Sequence, residues 1–210
     1  MKSISTYINE KLNVNSAKQK YNYSPKSYDE LHDTIGEMIA RNGNNADLNG
    51  IDVSNVTDLG ALFFEDFSEF NGDVSEWDVS NVELMNQMFK GCIRFNCDIS
   101  KWNVSNCEQM CEMFAGCKNF NADLSGWDVS KVDNMHNMFT GCKKFNSDLS
   151  KWDVSSLEDS SKCREMFDQC KTLEEHNLIP EWYFKISKIE HKIPKLEVDG
   201  RHFAKYRHYN

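Results

Sequence analysis

"WDVSNVELMNQMFKGCIRFNCDISK", residues 77–101, runs straight into "WNVSNCEQMCEMFAGCKNFNADLSG" (102–126) and "WDVSKVDNMHNMFTGCKKFNSDLSK" (127–151). A further start, "WDVSSLEDSSKCREMFDQC", opens at Trp152. A chain that repeats every 25 residues is a stack of like units, none of which can bury its apolar face alone. The array begins before the first Trp: "NADLNGIDVSNV" (45–56) echoes "NADLSGWDVSKV" (121–132), with Ile51 where Trp stands later. The segment after it gains one residue before Phe70, and the last repeat gains three between Leu157 and Met166. Such departures suit end coils, which have a neighbour on one side only.

Each repeat carries its own punctuation. Ser80, Ser105, Ser130 and Ser155 precede Glu83, Glu108, Asp133 and Glu158 by three residues, the spacing of a helix capping box. Val82, Met85, Met88 and Phe89 then fall on one helical face, and Gly91, Gly116 and Gly141 stand where a left-handed residue ends a helix. This predicts helices near 81–90, 106–115 and 131–140. The polar remainder, "FNCDISKWNV" and its copies, predicts a short strand with Ile99, Leu124 and Leu149 on its buried side. The expected fold class is α/β: a solenoid of about five coils over residues 46–170.

Recurring positions become columns in a stack. Asn96, Asn121 and Asn146 are expected to satisfy backbone groups of the next coil. Asp73, Asp98, Asp123 and Asp148 are expected to close turns. The Trp77, Trp102, Trp127 and Trp152 column has two readings, a packed ladder or an exposed aromatic platform for a ligand. Ile51 in the first coil suits packing. Of eight cysteines, Cys92, Cys117, Cys142 and Cys170 hold one repeat position. That favours buried free thiols over a disulfide framework or a zinc site, since no CxxC pair occurs.

The flanks do not repeat. Residues 1–20 read as an amphipathic segment with Ile4, Ile8 and Leu12 on one face, a docking tag or a second cap. Residues 21–45 read as a helical cap: "SYDELHDTIGEMIARNG" (27–43) has a Ser27–Glu30 capping box, an apolar face of Leu31, Ile35, Met38 and Ile39, and a Gly43 stop. The "SAKQKYNYSPKSY" stretch (16–28) reads as a linker. Residues 171–210 read as a C-terminal cap in which "LIPEWYFKISKIEHKIPKLEVDG" (178–200) alternates like a strand pair, with Pro180 and Pro194 as breaks, followed by a basic tail.

The net charge of −9 argues against nucleic-acid and anionic-membrane binders, which need clustered Lys and Arg. The first residues lack an apolar secretory core and a lipid-attachment cysteine, and no apolar run reaches membrane length. The expected location is therefore the cytoplasm. Nothing points to an enzyme: the histidines are His32, His136, His176, His191, His202 and His208, and only His136 lies in the array, at a variable position expected to face solvent. No catalytic residue, metal ligand or cofactor is predicted.

The pattern "FNxD[IL]SxWDVSxVxxMxxMFxGCxxFN" resembles the 25-residue repeat of BspA-like proteins, which are related to leucine-rich repeats. The repeat is abundant in mycoplasma surface lipoproteins and occurs also in gut Bacteroidetes, protists and large viruses. The resemblance implies a leucine-rich-repeat-like solenoid with strands on one face and helices on the other. It implies protein binding or adhesion, and no catalytic residues. On such a frame, specificity is carried by what varies beside the fixed Trp: Glu76, Lys101, Gly126 and Lys151 before it, and Asp78, Asn103, Asp128 and Asp153 after it. The expected function is a non-enzymatic protein-binding solenoid that sequesters or inhibits a partner inside a cell, a host protein if a virus or mobile element encodes it. The alternative is a surface or virion structural protein or adhesin.

Overall fold

In the computed structural model residues 21–187 are described. Equivalent rings of successive repeats stack face to face. Phe89, Phe114, Phe139 and Phe167 follow one another at 5.7–5.9 Å between centroids. Phe70, Phe95, Phe120 and Phe145 do so at 5.8–6.1 Å. Within a coil the two columns touch, as Phe114 and Phe120 do at 4.2 Å. Both columns are buried, completely so except for Phe167 at the end of the stack, 2 % exposed.

That spacing decides the local backbone. A helix with its side chains is about 10 Å across, so it cannot fit in a layer about 6 Å thick. The helices expected near 81–90, 106–115 and 131–140 do not form, and neither do the expected strands. Among the described residues there are three α-helices: α1 (Tyr28–Asn42), α2 (Lys171–His176) and α3 (Glu181–Ser187), all outside the repeated coils. The fifth coil adds a single 3-10 turn, Ser160–Lys162. Strand-like pairing is confined to isolated parallel bridges. The α/β leucine-rich-repeat-like solenoid is therefore corrected to a stack of coils made of consecutive turns.

Backbone hydrogen bonds show what replaces the helix. In the second coil the N–H groups of Met85, Gln87, Phe89 and Gly91 donate to carbonyls of the third: Gln109, Cys111, Met113 and Ala115, at 2.8–2.9 Å. The residues between them close turns instead, Met88 to Met85, Lys90 to Gln87 and Cys92 to Phe89. The same alternation links the third coil to the fourth through Met110, Glu112, Phe114 and Gly116. The bridges Leu84 to Gln109 and Gln109 to Asn134 lie here too. So the β-like part of each coil is the Met-Phe stretch, where a helix was expected. A short amphipathic helix is marginal by itself, and bonds between coils satisfy every second N–H that it would have used.

Alternation requires left-handed residues. Gly91, Gly116 and Gly141 supply one column at φ 76–78°. The second column is Gln87, Glu112 and Asn137, at φ 55–59°. A non-glycine residue there carries a steric cost of about 1–2 kcal/mol. Gln87→Gly is thus expected to hold or raise stability, and Gln87→Val to lower it by about 1–2 kcal/mol. Urea unfolding of the two variants checks this; equal midpoints would refute the left-handed assignment.

Side chains complete the frame. The Asn96 Oδ1 accepts from the Asn121 N–H at 2.8 Å, and Asn121 Oδ1 from the Asn146 N–H at 2.9 Å, as the column predicted. Asp73, Asp98, Asp123 and Asp148 each accept the N–H of the serine two residues on, at 2.9–3.0 Å, and close turns. Hydrogen bonds from Ser100, Ser125 and Ser150 hold Asp98, Asp123 and Asp148 below the usual carboxylate range. A carboxyl depressed in the folded state adds stability above its unfolded pKa of about 3.9, lost as pH falls through the folded value. Thermal midpoints are therefore expected to fall as acidification passes about pH 4, and Asp98→Asn, Asp123→Asn and Asp148→Asn together should flatten that decline. An unchanged acid profile in the triple variant would refute the role of these turns.

The ends are closed differently. Residues 21–26, read as part of a linker, instead pair with the first coil: Tyr23 bridges Ile51 in parallel, and the Asp52 N–H donates to the Tyr23 carbonyl at 2.8 Å. Next, α1 covers the first coil with Leu31 and Ile35 fully buried. Its Ser27 Oγ accepts the Glu30 N–H, and the Gly43 N–H returns to the Ile39 carbonyl, the predicted cap and stop. At the other end residues 181–187 form α3 and not a strand. Its Tyr183 packs edge-on against Phe167 at 5.0 Å. The amphipathic reading of residues 1–20 and the basic-tail reading lie outside the described residues.

Candidate functional site

Each indole Nε1–H donates to a carbonyl one coil back: Trp77 to Leu48, Trp102 to Val74, Trp127 to Ile99 and Trp152 to Leu124, at 2.9–3.1 Å. The four are 3–5 % exposed. The choice between ladder and platform is thereby settled, because a buried ring with its only donor engaged presents nothing to a ligand. Trp182 of α3 continues the column, donating to Leu149 at 2.8 Å. Trp102→Phe removes one donor, while the Val74 carbonyl keeps the Trp77 N–H at 3.2 Å, so about 0.5–1.5 kcal/mol of stability should go, measurable by urea unfolding.

The buried Trp column sets what flanks it. Glu76, Lys101, Gly126 and Lys151 are all exposed and occupy one column. Asp78, Asn103, Asp128 and Asp153 are exposed in a second. The second column has a structural task as well: each side-chain oxygen accepts the N–H of Ser80, Ser105, Ser130 or Ser155 at 3.0–3.2 Å. Beside Gly126 nothing lies within 4 Å of where a Cβ would stand. Serine bonds hold the Asp128 and Asp153 carboxyls low. This surface is therefore ionised, variable and fixed in register.

The opposite stretch is less bland than the sequence suggested. Lys90 and Glu112 form an ion pair between coils, both side chains about a quarter exposed. His136, expected to face solvent, is half-buried; its Nδ1 has no partner and its Nε2 sits 3.1 Å from the Asn137 Nδ2.

All eight cysteines are free thiols. Cys117, Cys142 and Cys170 donate to the Phe89, Phe114 and Phe139 carbonyls of the preceding coil at 2.9–3.0 Å. Burial pushes Cys92 and Cys107 up to about 12, and Cys97 to about 11. Thiolates are the reactive form, so alkylation of the folded chain at pH 8 is expected to reach Cys111 and Cys97 slowly and the buried column not at all. Mass spectrometry after brief iodoacetamide treatment checks this; early labelling of Cys117 or Cys142 would contradict the packing.

Clefts open on the surface among the described residues. One of about 420 Å³ crosses the coils between Asn55, Asn81 and Asn106 on one side and Glu83 and Glu108 on the other, with Lys131 at its end. Another of about 440 Å³ lies between Trp152, Leu157, Trp182 and Ile186. Neither is lined by a histidine or cysteine. Among the described residues no group of three or more His, Cys, Asp or Glu is placed to hold a metal ion, and no helix is long and apolar enough to cross a membrane.

One charged feature escaped the sequence reading. Arg94, Lys118 and the Lys143–Lys144 pair lie about 25 residues apart in the chain, but the stacking of Phe95, Phe120 and Phe145 beside them brings them onto one corner. Superimposing the three repeats as columns of charge would have found it.

These features define a repeat protein: in-register coils with a buried aromatic frame and variable exposed columns. The family described as "Mycoplasma protein of unknown function, DUF285" matches residues 33–125 and 97–192, and the chain belongs to it. No curated protein and no solved structure matches the chain.

Proposed function

We propose that the chain is a non-enzymatic protein-binding stack, its partner lying along the columns Glu76, Lys101, Gly126, Lys151 and Asp78, Asn103, Asp128, Asp153. The observation that carries this is the contrast within three adjacent positions. A Trp that is buried and hydrogen-bonded in four coils stands between residues that are exposed and change charge from coil to coil. A rigid frame with variable exposed positions is preorganised for binding, since few side chains need ordering on contact. The mixed charges suit a folded protein surface. The kinship with BspA-like repeats, and a role in occupying a partner inside a cell, belong to the same reading. The second reading is a surface or virion structural protein or adhesin, favoured by the family's mycoplasma association.

The test is charge reversal. Lys101→Glu with Lys151→Glu should weaken partner capture from the cell that makes the chain, without lowering the thermal midpoint. Asp33→Lys on the exposed side of α1 should leave capture intact. If the double variant captures the same partner undiminished, the Trp-flanking columns are not the binding face.

A further inference from the structure

The corner that follows each Phe-x-Gly-Cys element differs in charge from the rest of the stack. Residues 89–96, 114–121 and 139–146 contain Lys90, Arg94, Lys118, Lys143 and Lys144 and no acidic residue. The whole array, residues 46–170, carries 10 Lys and Arg against 22 Asp and Glu, so half of its cations gather here.

Register makes this a stripe. Cys117 and Cys142 bond to the preceding coil on one side of the corner, and Asn121 and Asn146 do so on the other. Between these anchors Lys118 and Lys143 share one column, and Arg94 and Lys144 share the next. The adjacent Phe rings rise 5.8 Å per coil. Acidic groups border the stripe at its ends, Asp168 among them, whose carbonyl accepts the Gly141 N–H at 2.7 Å. Glu69 pairs with Arg94 at 2.8 Å, Glu175 pairs with Lys171 at 3.6 Å, and Glu112 takes Lys90. Lys118, Lys143 and Lys144 are exposed, with no ion pair among the described residues.

We propose that this corner is a docking stripe for a short acidic segment of a partner protein, separate from the Trp-flanking columns. In an extended segment alternate side chains repeat at about 6.6–6.8 Å, close to the rise of the coils, so successive carboxylates can meet Lys118 and Lys143 or Lys144. The chain's negative charge repels a long polyanion, but screening confines that repulsion to about 8–10 Å, and a short segment on the corner feels the lysines first. Nucleic acid fits less well, because single strands bind by stacking on exposed aromatic rings. The exposed large apolar residues described are Tyr28 and Leu178, neither on this corner.

The experiment uses the full chain labelled with ¹⁵N and an alternating Glu-Gly hexapeptide. Amide shifts are expected at residues 116–120 and 141–145 and not at 76–78. The variant Lys118→Glu, Lys143→Glu, Lys144→Glu should bind the peptide about tenfold more weakly or worse, with its thermal midpoint kept. Shifts elsewhere, equal binding of an alternating Lys-Gly hexapeptide, or undiminished binding by the triple variant would each overturn the proposal. So would no binding at all, or tighter binding of a ten-residue oligo-dT or of phosphatidylserine vesicles at the same residues. Failure here leaves the Lys101 and Lys151 test untouched, since that one reads a different face.

Discussion

Phe114→Ala is expected to lower stability by about 3–5 kcal/mol. The ring is fully buried in the middle of the stack. It contacts Phe120 at 4.2 Å, Phe139 at 5.7 Å, Phe89 at 5.8 Å and Trp127 at 6.4 Å. A cavity costs least where its walls can close in. Here the layers above and below are held by backbone bonds, Phe89 to Met113 and Phe114 to Met138 among them, so the void should persist. Phe167→Ala at the end of the column should cost less, because α3 covers it and can settle. Urea denaturation of both variants decides the matter. A loss below about 1 kcal/mol at Phe114, or a larger loss at Phe167, would show that the stack closes over the gap.

Gly72→Ala is expected to be the most damaging single methyl in the array, at or beyond the upper end of the about 1–3 kcal/mol typical of overpacking. A Cβ there would stand 2.1 Å from the Ala46 carbonyl oxygen and 2.5 Å from the Phe70 ring. The same carbonyl accepts the Asp73 N–H at 3.0 Å, so relieving the clash pulls apart a bond between coils. Cys97, Ala122 and Ser147 occupy this column in later coils, so the restriction belongs to the first interface and not to the repeat. The segment leading there carries the extra residue before Phe70, which alters how the layer closes. Gly126→Ala is the control: its Cβ meets nothing within 4 Å, and the change should be neutral or mildly stabilising. If the two alanine variants unfold together, the close approach at Ala46 is not as described.

Much of this arrangement could be read from residues alone. The 25-residue period, the packed aromatic columns, the Asn96 and Asp98 turn roles, the thiol column and the α1 cap all follow from one-residue chemistry at recurring positions. The secondary structure of the coil did not follow. Met85, Met88 and Phe89 have helical spacing, and consecutive turns that close at i−3 reproduce it. What separates the two is the thickness of a layer, and that is a property of two repeats together. Asn137 was a clue, since asparagine tolerates the left-handed region better than most residues, but Gln87 and Glu112 in the same column hid it. The eight flanking residues, read from the sequence as the variable positions beside Trp, are exposed. Their turn-closing share was missed at Asp78, Asn103, Asp128 and Asp153, where the serine two residues on was the available signal. The basic corner was invisible to a net-charge argument, because a sum over the chain discards where along the stack each charge falls.

The hydrogen bonds between coils run from a position in one repeat to the matching position in the next. Met85 reaches Gln109, and Met110 reaches Asn134 by the same geometry. Excising residues 102–126 would join Lys101 to Trp127 and hand Met85 the carbonyl that Met110 now uses. The interface so created is of the kind already present. Duplicating the block adds another of that kind. Gain or loss of one whole repeat, 25 residues or 75 coding nucleotides, therefore lengthens or shortens the molecule without passing through an unfoldable intermediate. Each such event also shuffles which charges neighbour one another on the exposed columns. A change in repeat number thus alters the exposed pattern ahead of any point mutation.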